Sequence, residues 1–308
     1  MRNNITRREA TRVMAGTAAS LLVAPSLPAQ AKGSLLQRAI PSSGEMLPVI
    51  GLGTSRVFNA APSPAEREPL EQVVATLAKM GGKIVDTSPM YGQAETVSGE
   101  IAAKLKLHAK LFLATKVWTT GKAEGVQQME RSLELLGKKP LDLIQVHNLI
   151  DWETQLATLQ EWKKQGRIRY TGITHSTTGR QGDVARVLEK EQVDFVQINY
   201  SLMEREAEER VLPVAKERGV AVIVNRPFGR GDLFGRVRGK PLPEWASEID
   251  CKSWAQFFLK WIVAHPVVTC AIPATSKPHH IEDNLQAGLG RLPDEKMRRR
   301  MVEVMSGL

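Results

Sequence analysis

Eight short apolar runs, each followed by a helix-length amphipathic segment, constrain this chain more than any other feature. The runs are LPVIGLGT (47–54), KIVDTS (83–88), LFLATKVW (111–118), LDLIQVHN (141–148), IRYTGITH (168–175), DFVQINYS (194–201), VAVIVNRP (220–227) and VTCAIPAT (268–275). Several are apolar at consecutive positions, as strands covered on both faces are. One intervening segment carries Leu70, Val73, Val74 and Leu77 at i, i+3, i+4, i+7 and stops at Gly81-Gly82. Another carries Val126, Met129, Leu133 and Leu136 before Gly137. AETVSGEIAAKLKL, DWETQLATLQEWKKQG, REAEERVLPVAKERG and SWAQFFLKWIVAH supply further members.

Eight such units are the count of a (β/α)8 TIM barrel, which folds as one domain of about 250 residues. An open doubly wound sheet shows the same alternation. With a dinucleotide it would show G-x-G-x-x-G after its first strand; GLGTSR does not fit, and no helix follows at once. The expected fold is therefore a single-domain α/β barrel over residues 32–308. AIPSSGEMLP (39–48) reads as a hairpin closing the barrel bottom, and LPDEKMRRRMVEV (292–304) as an extra terminal helix. Phe228 to Pro243 reads as a long loop, its basic residues either a lid or simply solvated.

Residues 1–31 read as a targeting segment outside the fold. Arg7-Arg8 precede a short apolar stretch from Val13 to Ala24, and Ala29-Gln30-Ala31 offers a small-residue cleavage site. The stretch falls short of the roughly 20 residues that span a bilayer, so no stable membrane insertion is expected. Paired arginines resemble a twin-arginine signal. That implies export of the folded protein by the Tat machinery to the periplasm, starting near Lys32; cytoplasmic retention is the alternative. The net charge is +9. Arg2, Arg7, Arg8 and Arg12 against Glu9 give this segment +3, leaving +6, which suits a phosphorylated small molecule. The clustered basic and aromatic face of a nucleic-acid binder is missing. Arg298-Arg299-Arg300 and EREAEER (204–210) read as solvated helix faces. Cys251 and Cys270 read as two unpaired, partly buried thiols.

Four residues carry chemistry. Asp86 and Tyr91 lie in DTSPMYG, Lys116 in ATKVW and His147 in LIQVHN. Each falls late in a strand or in the loop after it, and barrel sites form at that rim. Singly they have plain readings: Asp86–Lys116 a rim salt bridge, Tyr91 an aromatic plug, His147 a core histidine. Together they form a proton-transfer set, because a nearby ammonium favours the phenolate and a carboxylate keeps that ammonium charged. Trp118 lines the substrate mouth or packs in the core.

GLGT, DTSPMYG, ATKVW, RSLELLGKKPLDLIQVH, QGRIRYTGIT, QINYSLMERE and IPATSKPHHIEDN, in that order, resemble the aldo/keto reductase family over nearly all of residues 40–290. The resemblance implies an NAD(P)H-dependent carbonyl reductase without a metal, acting on a small carbonyl or alcohol. It gives Tyr91 the role of proton donor, with Lys116 and Asp86 easing the transfer and His147 orienting the carbonyl. It places the cofactor against Thr54, Asp86, Thr174, His175, Gln197, Asn199, Asn225, Arg226 and Phe228. Thr275, Ser276, Lys277, His280 and Asn284 would hold the adenosine end at a helix N-terminus. Lys277 and His280 suit a 2′-phosphate, so NADP(H) is expected, with NAD(H) the alternative. The chain departs from the family pattern in two places. His175 stands where Asn is usual, and Asn225-Arg226-Pro227-Phe228 lacks the aromatic that stacks on nicotinamide, leaving Arg226 to reach phosphate. A nucleotide-binding regulatory or sensing subunit on the same fold is the rival reading. A metal-dependent barrel enzyme is disfavoured, because no carboxylate pair accompanies His147 and His175.

Overall fold

Consecutive buried apolar residues build the strands, and the helices cover them. The computed structural model describes residues 33–308; the expected signal segment, 1–31, lies outside the described residues. β1 (Gln37–Ala39) and β2 (Met46–Pro48) pair antiparallel as the expected hairpin. After them come β3 (Leu52–Gly53), α1 (Pro64–Lys79), β4 (Ile84–Asp86), α2 (Ala94–Lys104), β5 (Phe112–Val117), α3 (Lys122–Leu136), β6 (Leu141–His147) and α4 (Trp152–Lys164). The second half holds β7 (Ile168–His175), α5 (Gln181–Lys190), β8 (Phe195–Asn199), α6 (Val211–Arg218), β9 (Ala221–Asn225), α7 (Asp232–Arg236), α8 (Trp254–Val263), β10 (Val268–Ala271), α9 (Pro278–Gln286) and α10 (Glu295–Ser306).

Strands β3 to β10 are parallel and neighbour one another in chain order. Parallel bridges from Ile50 to Ala271 and from Gly53 to Ala274 join the first to the last and close the barrel. Gly53 permits the closure: a Cβ there would stand 2.8 Å from the Ile272 carbonyl oxygen. Inside, Ile84, Phe112, Leu143, Phe195, Ile223 and Cys270 form a packed core that Ile40 and Leu47 of the hairpin close from below. Outside, Leu70, Val73, Val74 and Leu77 of α1 are buried as their spacing requires.

Four expectations need correction. The run 47–54 is not one strand: Leu47 and Pro48 belong to β2, and the chain changes partners after it, Val49 N–H still bonding to Leu36 of the hairpin while Gly51 N–H bonds to Ala271 of the barrel. The stretch 228–243 contains α7, because Leu233 is buried and Phe234 packs on Phe228 and Phe258 at centroid distances of 4.8 and 5.6 Å. Arg298 is buried rather than solvated, donating to the Trp261 carbonyl at 3.2 Å and to Tyr200 Oη at 2.7 Å. The stretch 204–210 is largely exposed, as expected, but it is not an α-helix start: Glu206–Glu208 form a 3-10 turn ahead of α6, and the Glu208 carboxylate accepts from Arg298 at 3.0 Å. Cys251 and Cys270 are both buried and unpaired. Among the described residues no helix is long and apolar enough to cross a membrane.

Candidate active site

Parallel strands end on the same side, so Asp86 at the end of β4, Lys116 late in β5 and His147 at the end of β6 converge there. Lys116 is fully buried, and its Nζ donates to Asp86 Oδ2 at 2.6 Å and to the Thr87 carbonyl at 2.7 Å. Asp86 Oδ1 accepts from Gln197 Nε2 at 2.8 Å and from Gln145 Nε2 at 3.2 Å. Thr54 Oγ1 donates to the Asp86 carbonyl at 2.9 Å, tying the β3 end to β4. Lys116 Nζ lies 5.1 Å from the centroid of the Tyr91 ring. Burial works against its ammonium, but Asp86 first and Tyr91 next outweigh burial and hold its pKa above the ordinary lysine value. The salt bridge expected from sequence is therefore present, and it stands directly against the phenol.

Tyr91 is fixed by the loop beneath it. The Gln93 N–H donates to Asn59 Oδ1 at 3.0 Å, and a Cβ at Gly92, whose φ is +64°, would collide with the same amide. This clasps the Tyr91 loop to the loop after β3. The Tyr91 and His147 rings meet edge to face, centroids 6.0 Å apart and planes at 88°.

His147 is buried, and desolvation, then Lys116 and His175, push its imidazole down to about 2, so the ring is neutral. Its Nδ1 lies 3.1 Å from Ser88 Oγ. Ser88 is fully buried, and its Oγ also accepts the Met90 N–H at 3.4 Å. Among the described residues, His147 Nδ1 is the sole acceptor in reach of the Ser88 hydroxyl proton. Were Nδ1 to donate instead, that proton would be left buried without a partner, at a cost of about 1–3 kcal/mol. The network therefore assigns Ser88 as donor, Nδ1 as acceptor and the ring proton to Nε2.

A cavity of about 700 Å³ opens over this group. Asp86, Tyr91, His147, Thr54, Thr174, Gln197, Asn225, Arg226 and Phe228 line it, together with Arg56, Asn59, Met90, Ser176, Arg230 and Phe234. Gln197 is already engaged: besides Asp86 it takes hydrogen bonds at Oε1 from Thr174 and Asn225, both at 3.4 Å, so it braces the carboxylate. Asn199 and His175 do not reach the cavity; Asn199 Nδ2 donates to Thr178 Oγ1 at 2.8 Å, and His175 Nδ1 accepts the Thr177 N–H at 3.1 Å. Trp118 neither lines it nor packs in the core: beyond the end of β5 it turns outward, 42% exposed, its N–H held by Gln128.

Thr275, Ser276, Lys277, His280 and Asn284 form a separate group at the start of α9, outside the cavity lining. Thr275 Oγ1 accepts the Lys277 N–H at 3.0 Å and lies 3.4 Å from His280 Nδ1. The first turn of α9 has no side-chain cap. Burial, then His279 and Lys277, lower the His280 pKa and so disfavour its cationic form. Among the described residues, no three His, Cys, Asp or Glu side chains come together as metal ligands.

Ser88, Gln145, Asn59 and Arg56 escaped the sequence reading. Gln145 had a signal, since it stands two residues before His147 and a strand repeats every two residues. Ser88 sits inside DTSPMYG, but nothing in the sequence says that its hydroxyl meets a histidine two strands away.

The depressed His147 pKa has a consequence for acid stability. Between the unfolded value of about 6.5 and the folded value of about 2, the unfolded chain binds the extra proton, so stability present above pH 6.5 is lost as pH falls through that window. Urea melts at pH 7 and pH 5 should show a smaller loss for His147→Gln than for the wild type; equal losses would place the acid sensitivity elsewhere.

Comparison with known proteins agrees with the barrel fold. Residues 49–301 match the Aldo/keto reductase family. The chain is 28% identical over 262 residues to an uncharacterized oxidoreductase of Schizosaccharomyces pombe, covering 80% of this chain and 83% of the relative. It is 28% identical over 247 residues to the glyoxal reductase of Bacillus subtilis, covering 79% and 83%. Its fold superposes on an aldo/keto reductase of Klebsiella pneumoniae solved with NADP and acetate, at TM-score 0.72 and 24% identity over 89% of this chain and 96% of that one. The holo form of an aldo-keto reductase from Bacillus halodurans gives TM-score 0.71 and 22% identity over 88% and 96%. The chain belongs to the aldo/keto reductase family, whose members carry out NAD(P)H-dependent carbonyl reduction.

Proposed function

We propose that this protein is an NADP(H)-dependent oxidoreductase that reduces a small aldehyde or ketone to an alcohol, or runs the reverse, with Tyr91 as proton donor. One observation carries the reading: a fully buried lysine, locked to a carboxylate, lies against a phenol that lines a cavity shared with a neutral histidine. Such a set moves one proton to a carbonyl oxygen. Tyr91 gives its hydroxyl proton; the Lys116 ammonium stabilises the phenolate left behind; Asp86 keeps that ammonium charged. The His147 Nε2–H donates to the same carbonyl oxygen and orients it. Ser88 fixes the tautomer that allows this.

The residues fit a nicotinamide dinucleotide phosphate. Asn225 lines the cavity, and its Oδ1 is buried without a partner, as suits an acceptor that meets an amide N–H. Arg226 and Arg230, on the loop after β9, form no ion pair among the described residues and suit a pyrophosphate. Lys277, with the uncapped first turn of α9, suits the 2′-phosphate, with His280 as a hydrogen-bonding neighbour and Asn284 toward the adenine. When bound, the cofactor supplies the hydride. The Klebsiella pneumoniae structure that shares this fold holds NADP, which supports the choice over NAD(H). We propose further that residues 1–31 direct export by the Tat route; N-terminal sequencing from the native host should find a start near Lys32, and an intact Met1 would oppose it.

Tyr91→Phe should cut NADPH-dependent reduction by at least about 100-fold while NADPH still quenches protein fluorescence and binds more tightly than NADH. Undiminished reduction would remove Tyr91 from the proton transfer. Ser88→Ala should lower kcat/KM by about threefold to tenfold, the size of one hydrogen bond. Nitrogen NMR should show the His147 proton leaving Nε2 in part, and Ser88→Thr should restore it. An unchanged tautomer in Ser88→Ala would show that some other group fixes the ring.

A further inference from the structure

Three guanidinium groups, from Arg56, Arg226 and Arg230, line the cavity that holds Tyr91 and His147. The sole carboxylate in that lining is Asp86, and Lys116 neutralises it. None of the three arginines forms an ion pair among the described residues, whereas Arg67, Arg167, Arg169, Arg210 and Arg298 each meet a carboxylate. Burial first, then Arg230 and Arg56, weigh against the Arg226 cation, while Glu204 and Tyr91 favour it. A cavity lined by three unpaired guanidinium groups is suited to receive anions.

The arginines divide by position. Arg226 and Arg230 stand on the loop after β9, and Arg226 is held there by a 2.9 Å hydrogen bond to Ser176. Two cations on one loop match the two negative charges of a pyrophosphate. Arg56 is left over. It lies in the tight turn after β3, where the Val57 and Phe58 N–H groups both donate to the Thr54 carbonyl, on a different loop from the other two although close enough to Arg226 to repel it. Its φ is +66°, a left-handed backbone that favours glycine, yet the position carries the largest cationic side chain. Asn59 clasps this turn to the Tyr91 loop, so Arg56 belongs to the proton-donor side of the cavity.

We infer that the substrate is a carbonyl compound bearing an anionic group, a carboxylate or a similar small oxyanion, and that Arg56 binds this group while the carbonyl meets Tyr91 and His147. The inference rests on the reductase reading above and narrows its substrate class. Arg56 is then a specificity residue, touching the substrate at a point remote from the bond that is reduced.

The test uses the full chain with NADPH and two carbonyls of matched shape, 4-carboxybenzaldehyde and its methyl ester. The wild type should favour the acid over the ester in kcat/KM by at least about tenfold, the value of one charge-assisted hydrogen bond. Arg56→Gln should collapse that ratio toward one through KM, and Arg56→Lys should recover part of it. A wild-type ratio at or below one, or a ratio unchanged in Arg56→Gln, overturns the inference. So does a variant that keeps the ratio but binds NADPH more weakly, which would assign Arg56 to the pyrophosphate. Calorimetry of benzoate against benzamide on the NADP-loaded protein needs no turnover. A benzoate preference that Arg56→Gln abolishes, in a protein that reduces neither aldehyde, would keep the anion site and reject the reductase reading. No benzoate preference would reject the site itself.

Discussion

The Asp86–Lys116 ion pair, sealed from water at the rim of the barrel, is the constraint on which the rest of the site depends. Two charges taken out of water cost several kcal/mol each, and a pair repays this only when its remaining hydrogen bonds are satisfied. Here they are: the Thr87 carbonyl takes one ammonium proton, and Gln145 and Gln197 donate to the other carboxylate oxygen. Such an arrangement is a poor way to stabilise a barrel, since apolar side chains of equal volume would serve as well. It is a good way to keep one positive charge fixed beside a phenol. Thr174 and Asn225, bonded to Gln197, extend the brace across β7, β8 and β9.

The barrel makes this geometry cheap to hold. Each strand pairs with its sequence neighbour, so residues late in β4, β5 and β6 are brought together by the sheet register and need no long-range adjustment. Loops then add what strands cannot. The Tyr91 loop is pinned by Asn59, and the turn after β9 is held by the packing of Phe228, Phe234 and Phe258. A neutral, oriented histidine beside a charged lysine lets one cavity present a hydrogen-bond donor and a proton donor without two adjacent cations.

Much of this was legible from the residues. The strand–helix count gave the barrel, the end-of-strand positions gave Asp86, Lys116 and His147, and helical spacing gave the buried face of α1. What escaped was set by contacts between distant segments. The resemblance makes Gln197 a cofactor ligand, and it does line the cavity; that its amide also donates to Asp86 is fixed by the approach of β4 and β8, which no local pattern shows. Ser88 carries no signal of its own in the sequence; its part in the site comes from the contact of its hydroxyl with His147. Arg298 read as solvated because its neighbours are charged; its burial follows from the way α10 lies over Trp261 and Tyr200. The turn to the outside at Trp118 leaves no trace in the strand pattern, because the apolar run continues past the last ladder residue.

The most direct measurement of the central claim is single-turnover hydride transfer from NADPH in the paired Asp86→Asn/Lys116→Met variant, which leaves no uncompensated buried charge. With the fold intact by circular dichroism and NADPH still bound, the transfer step should slow by at least about 100-fold relative to the wild type. A transfer rate within about threefold of the wild type would mean that the phenol needs no ammonium, and that the sealed pair is scaffolding after all.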